Sequence, residues 1–111
     1  MNVRLTAEIW VQAYLTRLRL QDIPAFVVAR GDSNAGAVIV KQNPLNGKAK
    51  AFQRSIDIFT GDRIWVTLVD GTDDEVEATI AKQRSFDPDL WVIEVEDRDG
   101  RHLLDEPGLD G

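Results

Sequence analysis

Residues 84–106 read RSFDPDLWVIEVEDRDGRHLLDE, and this stretch decides the fold. Pro88 cannot continue a helix and restricts the backbone of the residue before it, so a helix must end near Phe86. From residue 90 to residue 96 one face is apolar and the other becomes polar towards its end. This pattern predicts a strand that leaves a core and runs into water.

Asp99 and Gly100 follow that strand. Both residue types tolerate positive φ, so the pair predicts a hairpin turn with a short return strand over residues 101–104. Residues 107–111 then predict a flexible tail at the end of a single domain of 111 residues.

The N-terminal part predicts a helix that begins after Thr6, a good N-cap, and ends before Pro24. Its apolar residues follow helical spacing, and additional ones widen the stripe beyond one face. A helix of this kind is covered on more than one side, by the sheet and a loop or by a second protomer, and burial within the monomer is favoured. The apolar residues are Ala7, Ile9, Trp10, Val11, Ala13, Tyr14, Leu15, Leu18 and Leu20.

Between the two helices the sequence predicts four strands, over residues 25–30, 37–42, 48–58 and 64–69. Thr72 and Glu75 form a capping box that opens a second helix from about Asp73 to Phe86. The resulting order is α-β-β-β-β-α-β(-β). Because hairpin connections dominate, we expect an α+β fold with a mostly antiparallel sheet of about five strands and two helices packed on it.

The charge and the composition exclude several classes of function. Residues 1–54 carry eight Lys and Arg against three acidic residues, whereas residues 55–111 carry five against sixteen, so the net charge of −6 is unevenly spread. An acidic total argues against a primary nucleic-acid binder, and the asymmetry suits a protein partner or a second copy. The lack of cysteine excludes disulfides and thiolate metal sites, and we expect no cofactor.

The same features predict a cytoplasmic protein. The absence of cysteine fits a reducing compartment. No apolar run is long enough to span a membrane, and the N-terminus lacks the pattern of a signal peptide.

Three segments of the chain resemble a small alphaproteobacterial family catalogued as domain of unknown function 1491. They are residues 4–11, residues 30–36 and residues 86–102, and the last is the most specific. The resemblance covers nearly the whole chain and implies a cytoplasmic bacterial protein. It implies no activity and carries over no catalytic residue.

A hydrolytic arrangement is the remote alternative. Gly31-Asp32-Ser33 is similar to the opening motif of GDSL-type esterases, and Asp99 with His102 is similar to the end of their triad. However, Ser33 precedes a predicted strand instead of a helix, and the parallel framework of those enzymes is missing. The acidic turn of Asp97, Asp99, Asp105 and Glu106 is a solvated turn or a weak cation site, which the sequence leaves open.

Two surfaces remain as binding candidates. The first is a basic hairpin around Phe52, where a nucleic-acid-associated accessory factor would make phosphate and stacking contacts. Its residues are Lys41, Lys48, Lys50 and Arg54. A solvated sheet edge protected by lysine is the simpler interpretation.

The second surface mixes aromatic and charged groups, as protein interfaces do. Its residues are Arg84, Asp87, Asp89, Trp91, Arg101 and His102. The leading hypothesis is therefore a non-enzymatic, cytoplasmic binding or accessory protein that acts through protein contacts, with an unidentified partner or as a homodimer.

Overall fold

A computed structural model describes residues 5–109 of the chain. The predicted α+β class and element order are confirmed. The helices and strands are α1 (Ala7–Leu20), β1 (Ala25–Ala29), β2 (Val38–Asn43), β3 (Lys48–Ile56), β4 (Arg63–Thr72), α2 (Asp73–Phe86) and β5 (Trp91–Glu96).

The five strands form one sheet in the order β1-β5-β2-β3-β4. β5 and β2 are parallel, and the other three pairings are antiparallel. β4 and β5 therefore run in the same direction, and α2 is the crossover between them. This connection inserts the last strand between β1 and β2, in the interior of the sheet, where it is buried on both faces.

Helix α1 covers one face of the sheet. Thr6 caps it as predicted, since its hydroxyl accepts a hydrogen bond from the Ile9 amide. The buried face is narrower than the sequence indicated, because the side chains of Ile9 and Leu20 are exposed. The monomer covers the helix through a core that includes Trp10, Val11, Tyr14, Leu18, Val38, Val40, Ile93 and Val95.

Helix α2 covers the other face and begins and ends at the predicted residues. Its capping box is formed, with Thr72 and Glu75 each bonded to the other's backbone amide. Val76 and Ile80 pack on the sheet. Phe86, the last residue of the helix, is 75% exposed and lies outside that packing.

The predicted return strand after Gly100 is wrong. Gly100 does turn the chain at φ +77°, but Leu103 adopts φ +62°, which is incompatible with a strand. Instead the segment covers the core beside α1, with Leu103, Leu104 and Leu109 buried.

Residues 107–109, predicted as part of a flexible tail, are also packed. Leu109 is buried and its carbonyl accepts a hydrogen bond of 2.9 Å from Trp65 Nε1, while Arg17 Nη1 donates to the Pro107 carbonyl. The rest of that predicted tail, residues 110 and 111, lies outside the described residues. Within residues 5–109, neither helix is long and apolar enough to cross a membrane.

Candidate functional site at the β3–β4 hairpin

The hairpin of β3 and β4 extends past the end of its neighbour. Strand β2 begins at Val38 and pairs Ile39 with Gln53. Beyond Gln53 the ladder between β3 and β4 continues through Arg54 with Trp65 to two further pairs, Ser55 with Ile64 and Ile56 with Arg63. These pairs and the connecting loop, residues 57–62, therefore project beyond the sheet. We call residues 56–64 the hairpin tip.

The loop of the hairpin tip is held by its own hydrogen bonds. Asp57 Oδ1 accepts from the amides of Phe59 and Thr60, at 2.8 and 3.4 Å. The Asp57 amide donates to the Asp62 carbonyl at 2.8 Å, and Gly61 closes the turn at φ +76°. Because the polar groups bond inward, the side chains of residues 58 and 59 are directed outward.

The hairpin tip carries the two most exposed large apolar side chains of residues 5–109. Ile58 is 87% exposed and Phe59 is 91% exposed, and Ile56 beside them is also exposed. Burial of a side chain of this size contributes about 1.5–3 kcal/mol, which the monomer forgoes at each position. This free energy is available to a partner that covers the tip.

Sequence reasoning missed this site. Residues 48–58 were predicted as one strand, whereas β3 ends at Ile56 and residues 57–62 form a loop. The available signal was the pair Ile58-Phe59, two large apolar residues placed directly before turn residues. Such a pair falls in a loop, where no core can cover it.

An aromatic pocket of about 360 Å³ lies at the base of the hairpin tip. Phe52, Trp65 and His102 form its walls, with the Phe52 and His102 rings 4.6 Å apart. Burial lowers the pKa of His102, and its Nδ1 accepts a hydrogen bond of 3.0 Å from the Leu104 amide. The imidazole is therefore neutral near pH 7 and belongs to the apolar wall of the pocket.

The predicted partner surface does not form one patch. Trp91 is only 1% exposed, because it projects from β5 into the core beneath α1. Its Nε1 donates a hydrogen bond of 2.7 Å to the Asp32 carbonyl. Arg84, Asp87 and Asp89 lie before the start of β5.

Arg101 and His102 lie after the end of β5. The six residues of the strand separate the two groups by roughly 20 Å. Arg101 is also engaged, since its side chain holds both oxygens of Asp97 and keeps the pKa of that carboxyl below its usual range.

The predicted basic hairpin is divided between surface and interior. Lys41 is 3% exposed and contacts three carboxylates, those of Asp73 at 2.6 Å, Glu77, and Glu94 at 3.5 Å. Burial alone would lower the pKa of Lys41, but the hydrogen bonds with Asp73 and Glu77 and the charge of Glu94 outweigh it and raise the pKa. Lys41 therefore joins β2, α2 and β5 and is not presented to a phosphate.

The other three cations of that hairpin differ in their surroundings. The Arg54 guanidinium lies 4.5 Å from the Trp10 ring and 5.1 Å from the Trp65 ring, so it extends the aromatic packing beneath α1. Lys48 is exposed, and Lys50 lies 3.6 Å from Asp70. Two lysines, one of them beside a carboxylate, remain at the surface.

The residues of the remote hydrolytic arrangement lie at opposite ends of the sheet. The turn that holds Ser33 packs beside the start of β5, since the Asp32 amide donates to the Asp89 carbonyl. His102 follows the other end of β5, and its Nδ1 bonds a backbone amide. Ser33 and His102 are therefore too far apart for proton transfer.

In the acidic turn, Asp97 forms an ion pair with Arg101, and Glu106 forms an ion pair with Arg17. Across residues 5–109, no group of three His, Cys, Asp or Glu side chains is arranged to hold a metal ion.

Comparison with known proteins places the chain in a family. A model described as "Protein of unknown function (DUF1491)" matches residues 5–105, so the chain belongs to the DUF1491 family. No curated protein sequence matches it significantly.

Three solved structures share the fold. The crystal structure of a DUF1491 family protein from Caulobacter crescentus CB15 is 37% identical, covers 95% of this chain and 97% of its own, and has a TM-score of 0.82. An NMR structure of a DUF1491 family protein from the same organism is 39% identical, covers 96% and 97%, and has a TM-score of 0.81. The solution structure of a protein from A. tumefaciens is 29% identical, covers 85% and 86%, and has a TM-score of 0.72.

The segments that carry the family resemblance meet at Trp91. Arg30 lies 5.1 Å from the centre of the Trp91 ring and pairs with Glu8 of α1. Gly31 and Gly36 pass so close to the Asp89 carbonyl and the indole that an added Cβ at either would fall within 3 Å of them. Parts of all three segments therefore pack around one tryptophan, whereas residues 97–102 follow the other end of β5. The hairpin tip lies outside all three segments.

Proposed function

We propose that the protein is a non-enzymatic binding or accessory protein that inserts its hairpin tip into an apolar groove of a protein partner. The observation that carries the proposal is the exposure of Ile58 and Phe59 on a loop fixed by its own hydrogen bonds. A rigid loop loses little conformational entropy on binding, so most of the apolar burial contributes to affinity.

The surroundings of the hairpin tip support recognition by a protein. The loop side chains Asp57 and Thr60 are satisfied within the loop, so a partner need not supply their hydrogen bonds. The aromatic pocket at its base offers a second apolar contact, with Asp62 and Asp105 at the rim. Aromatic anchors surrounded by polar groups are typical of binding hot spots.

The proposal keeps the cytoplasm as the expected compartment, because the chain contains no cysteine. It assigns no catalytic role and no cofactor. A nucleic-acid partner receives less support, because Lys41 and Arg54 are committed to internal contacts.

Affinity capture from host lysate with matched variants tests the proposal. Tagged wild-type protein, the Ile58→Ser/Phe59→Ser variant and the Phe86→Ser variant are compared, with nuclease present throughout. Phe86 is the control because it is also a highly exposed phenylalanine, at the end of α2. We expect the tip variant to lose a protein that both others retain. Equal capture by all three in the presence of nuclease, or no protein captured by the wild type under that condition, contradicts the proposal.

A further inference from the structure

The two edges of the sheet are protected to different degrees. Strand β4 carries charged residues at Arg63 and Asp70, and its pairing with β3 contains a bulge. These features discourage pairing with another sheet. Strand β1, at the other edge, reads Ala-Phe-Val-Val-Ala and has no charge. Phe26, Val27 and Val28 are all exposed.

The backbone of β1 has unused hydrogen-bonding groups on its outer side. The Glu96 amide donates to the Pro24 carbonyl, which makes residues 24 and 96 a hydrogen-bonded pair. Since such pairs alternate along an antiparallel ladder, Phe26 also bonds to β5, whereas the amides and carbonyls of Ala25 and Val27 point away from it. The ladder is regular from Ala25 to Val27 and is interrupted at Val28.

We propose that two copies of the chain pair through β1, antiparallel, about a two-fold axis at Phe26. Ala25 of each copy then lies opposite Val27 of the other, and their outward amides and carbonyls form four hydrogen bonds. Phe26 lies opposite Phe26 of the second copy in a close pair without hydrogen bonds, where aromatic side chains pack favourably. The arrangement uses only the regular part of the strand.

An uncharged seam supports a second copy as the occupant. Residues 23–29 of the chain carry no charged side chain, and the outward backbone groups of Ala25 and Val27 are arranged symmetrically about Phe26. Pairing along this seam therefore avoids direct repulsion between two chains that each carry a net charge of −6.

The dimer would have a continuous ten-stranded sheet, with one β4 at each end. The hairpin tips would therefore stand at its two far edges, clear of the interface. This inference stands independently of the proposed function. Two tips on one particle would also engage repeated or clustered partners with increased avidity.

Light scattering after size exclusion, over a series of concentrations, tests the dimer. We expect the mass to rise towards twice the chain mass of 12.4 kDa for wild-type protein and for the Phe86→Lys control. The Phe26→Lys variant should keep the single-chain mass, because it introduces two facing charges into the seam. A wild-type protein that keeps the single-chain mass at every concentration overturns the proposal, as does a Phe26→Lys variant that dimerises like wild type.

Oxidative cross-linking gives a second reading that does not depend on the lysine variant folding. The chain has no cysteine, so a single introduced thiol reports only on its own position. In the proposed pairing, the Cα atoms of residue 26 in the two copies are about 4.5 Å apart, within disulfide range. The Phe26→Cys variant should form a covalent dimer at least tenfold faster than the Phe86→Cys variant. Equal rates contradict the pairing, whatever the hairpin tip binds.

Discussion

The interior of the sheet and the hairpin tip differ in how they accommodate side chains that are energetically costly to place. In the interior such side chains are buried with polar partners, whereas at the tip they are exposed. In the interior, the cation of Lys41 and the indole of Trp91 are buried, and each is given partners, three carboxylates and a backbone carbonyl. At the tip, the large apolar side chains of Ile58 and Phe59 are left exposed. The stability of the fold accounts for Lys41 and Trp91 inside the sheet. It does not account for Ile58 and Phe59 at the tip.

This comparison predicts the largest effect at Trp91. The Trp91→Ala variant should lose about 3–5 kcal/mol of unfolding free energy, because a large cavity forms where three segments of the chain meet. Urea denaturation measures the loss. The Phe59→Ala variant is the control, and a similar loss there would show that the tip is also part of the stabilising structure.

A smaller effect is expected at Lys41. The Lys41→Met variant should lose about 1–3 kcal/mol of unfolding free energy. This is less than the loss on breaking a fully buried ion pair, because the three carboxylates that remain are partly exposed. The exposed Lys48→Met variant should be close to wild type.

The pH dependence of the Lys41 contribution has a definite sign. The folded protein raises the pKa of Lys41, so its stabilisation is fully present below the unfolded value of about 10.4 and is lost as the pH rises through the folded pKa. The stability difference between wild type and Lys41→Met should therefore persist at neutral pH and shrink only in strong alkali. A difference that disappears as the pH rises from neutrality to about 9, still below the unfolded pKa of lysine, would contradict the assignment.

His102 gives a still smaller effect at the boundary between the two regions. Burial lowers its pKa in the folded state, so the unfolded chain binds a proton more readily and stability should fall as the pH drops below about 6.5. Protonation of Nδ1 also removes the bond from the Leu104 amide, worth about 1 kcal/mol. The His102→Asn variant keeps an acceptor without titrating, and its urea midpoint should change less between about pH 7.5 and about pH 5.5.

The smallest change in stability is expected at the hairpin tip. Ile58→Ser and Phe59→Ser should each alter the free energy of unfolding by less than about 0.5 kcal/mol, because neither side chain is packed. Binding of the captured partner should nevertheless weaken at least about thirtyfold, an effect of about 2 kcal/mol or more at a hot spot. Titration of the purified partner with each variant measures this. A large loss of stability without a loss of binding would reverse the interpretation of the tip.

The features predicted best from the sequence are those that residues close together along the chain determine. The second helix was located to the residue, because Thr72 and Glu75 cap its start and Pro88 limits its end. Thr6 likewise marked the start of α1, where its hydroxyl accepts a hydrogen bond from the Ile9 amide. Each of these signals lies within a few residues of the structure it determines.

The sequence failed where a distant part of the chain decided the outcome. Residues 101–104 looked like a strand, but the exposed surface beside α1 offered more burial for Leu103 and Leu104 than an extra edge strand would. Lys41 looked like a surface cation because its carboxylates come from α2 and β5. The hairpin tip was missed because its length relative to β2 depends on the register of the sheet.

Site-specific photo-crosslinking in host cells is the most direct test of whether the hairpin tip contacts a partner protein. A photoreactive phenylalanine analogue replaces Phe59 in one strain and Phe86 in another, and the two positions differ in location more than in exposure. We expect one discrete cross-linked protein when the analogue is at position 59, and we expect that product to be absent when the analogue is at position 86. No product from position 59, or the same products from both positions, would show that the hairpin tip is not a docking surface.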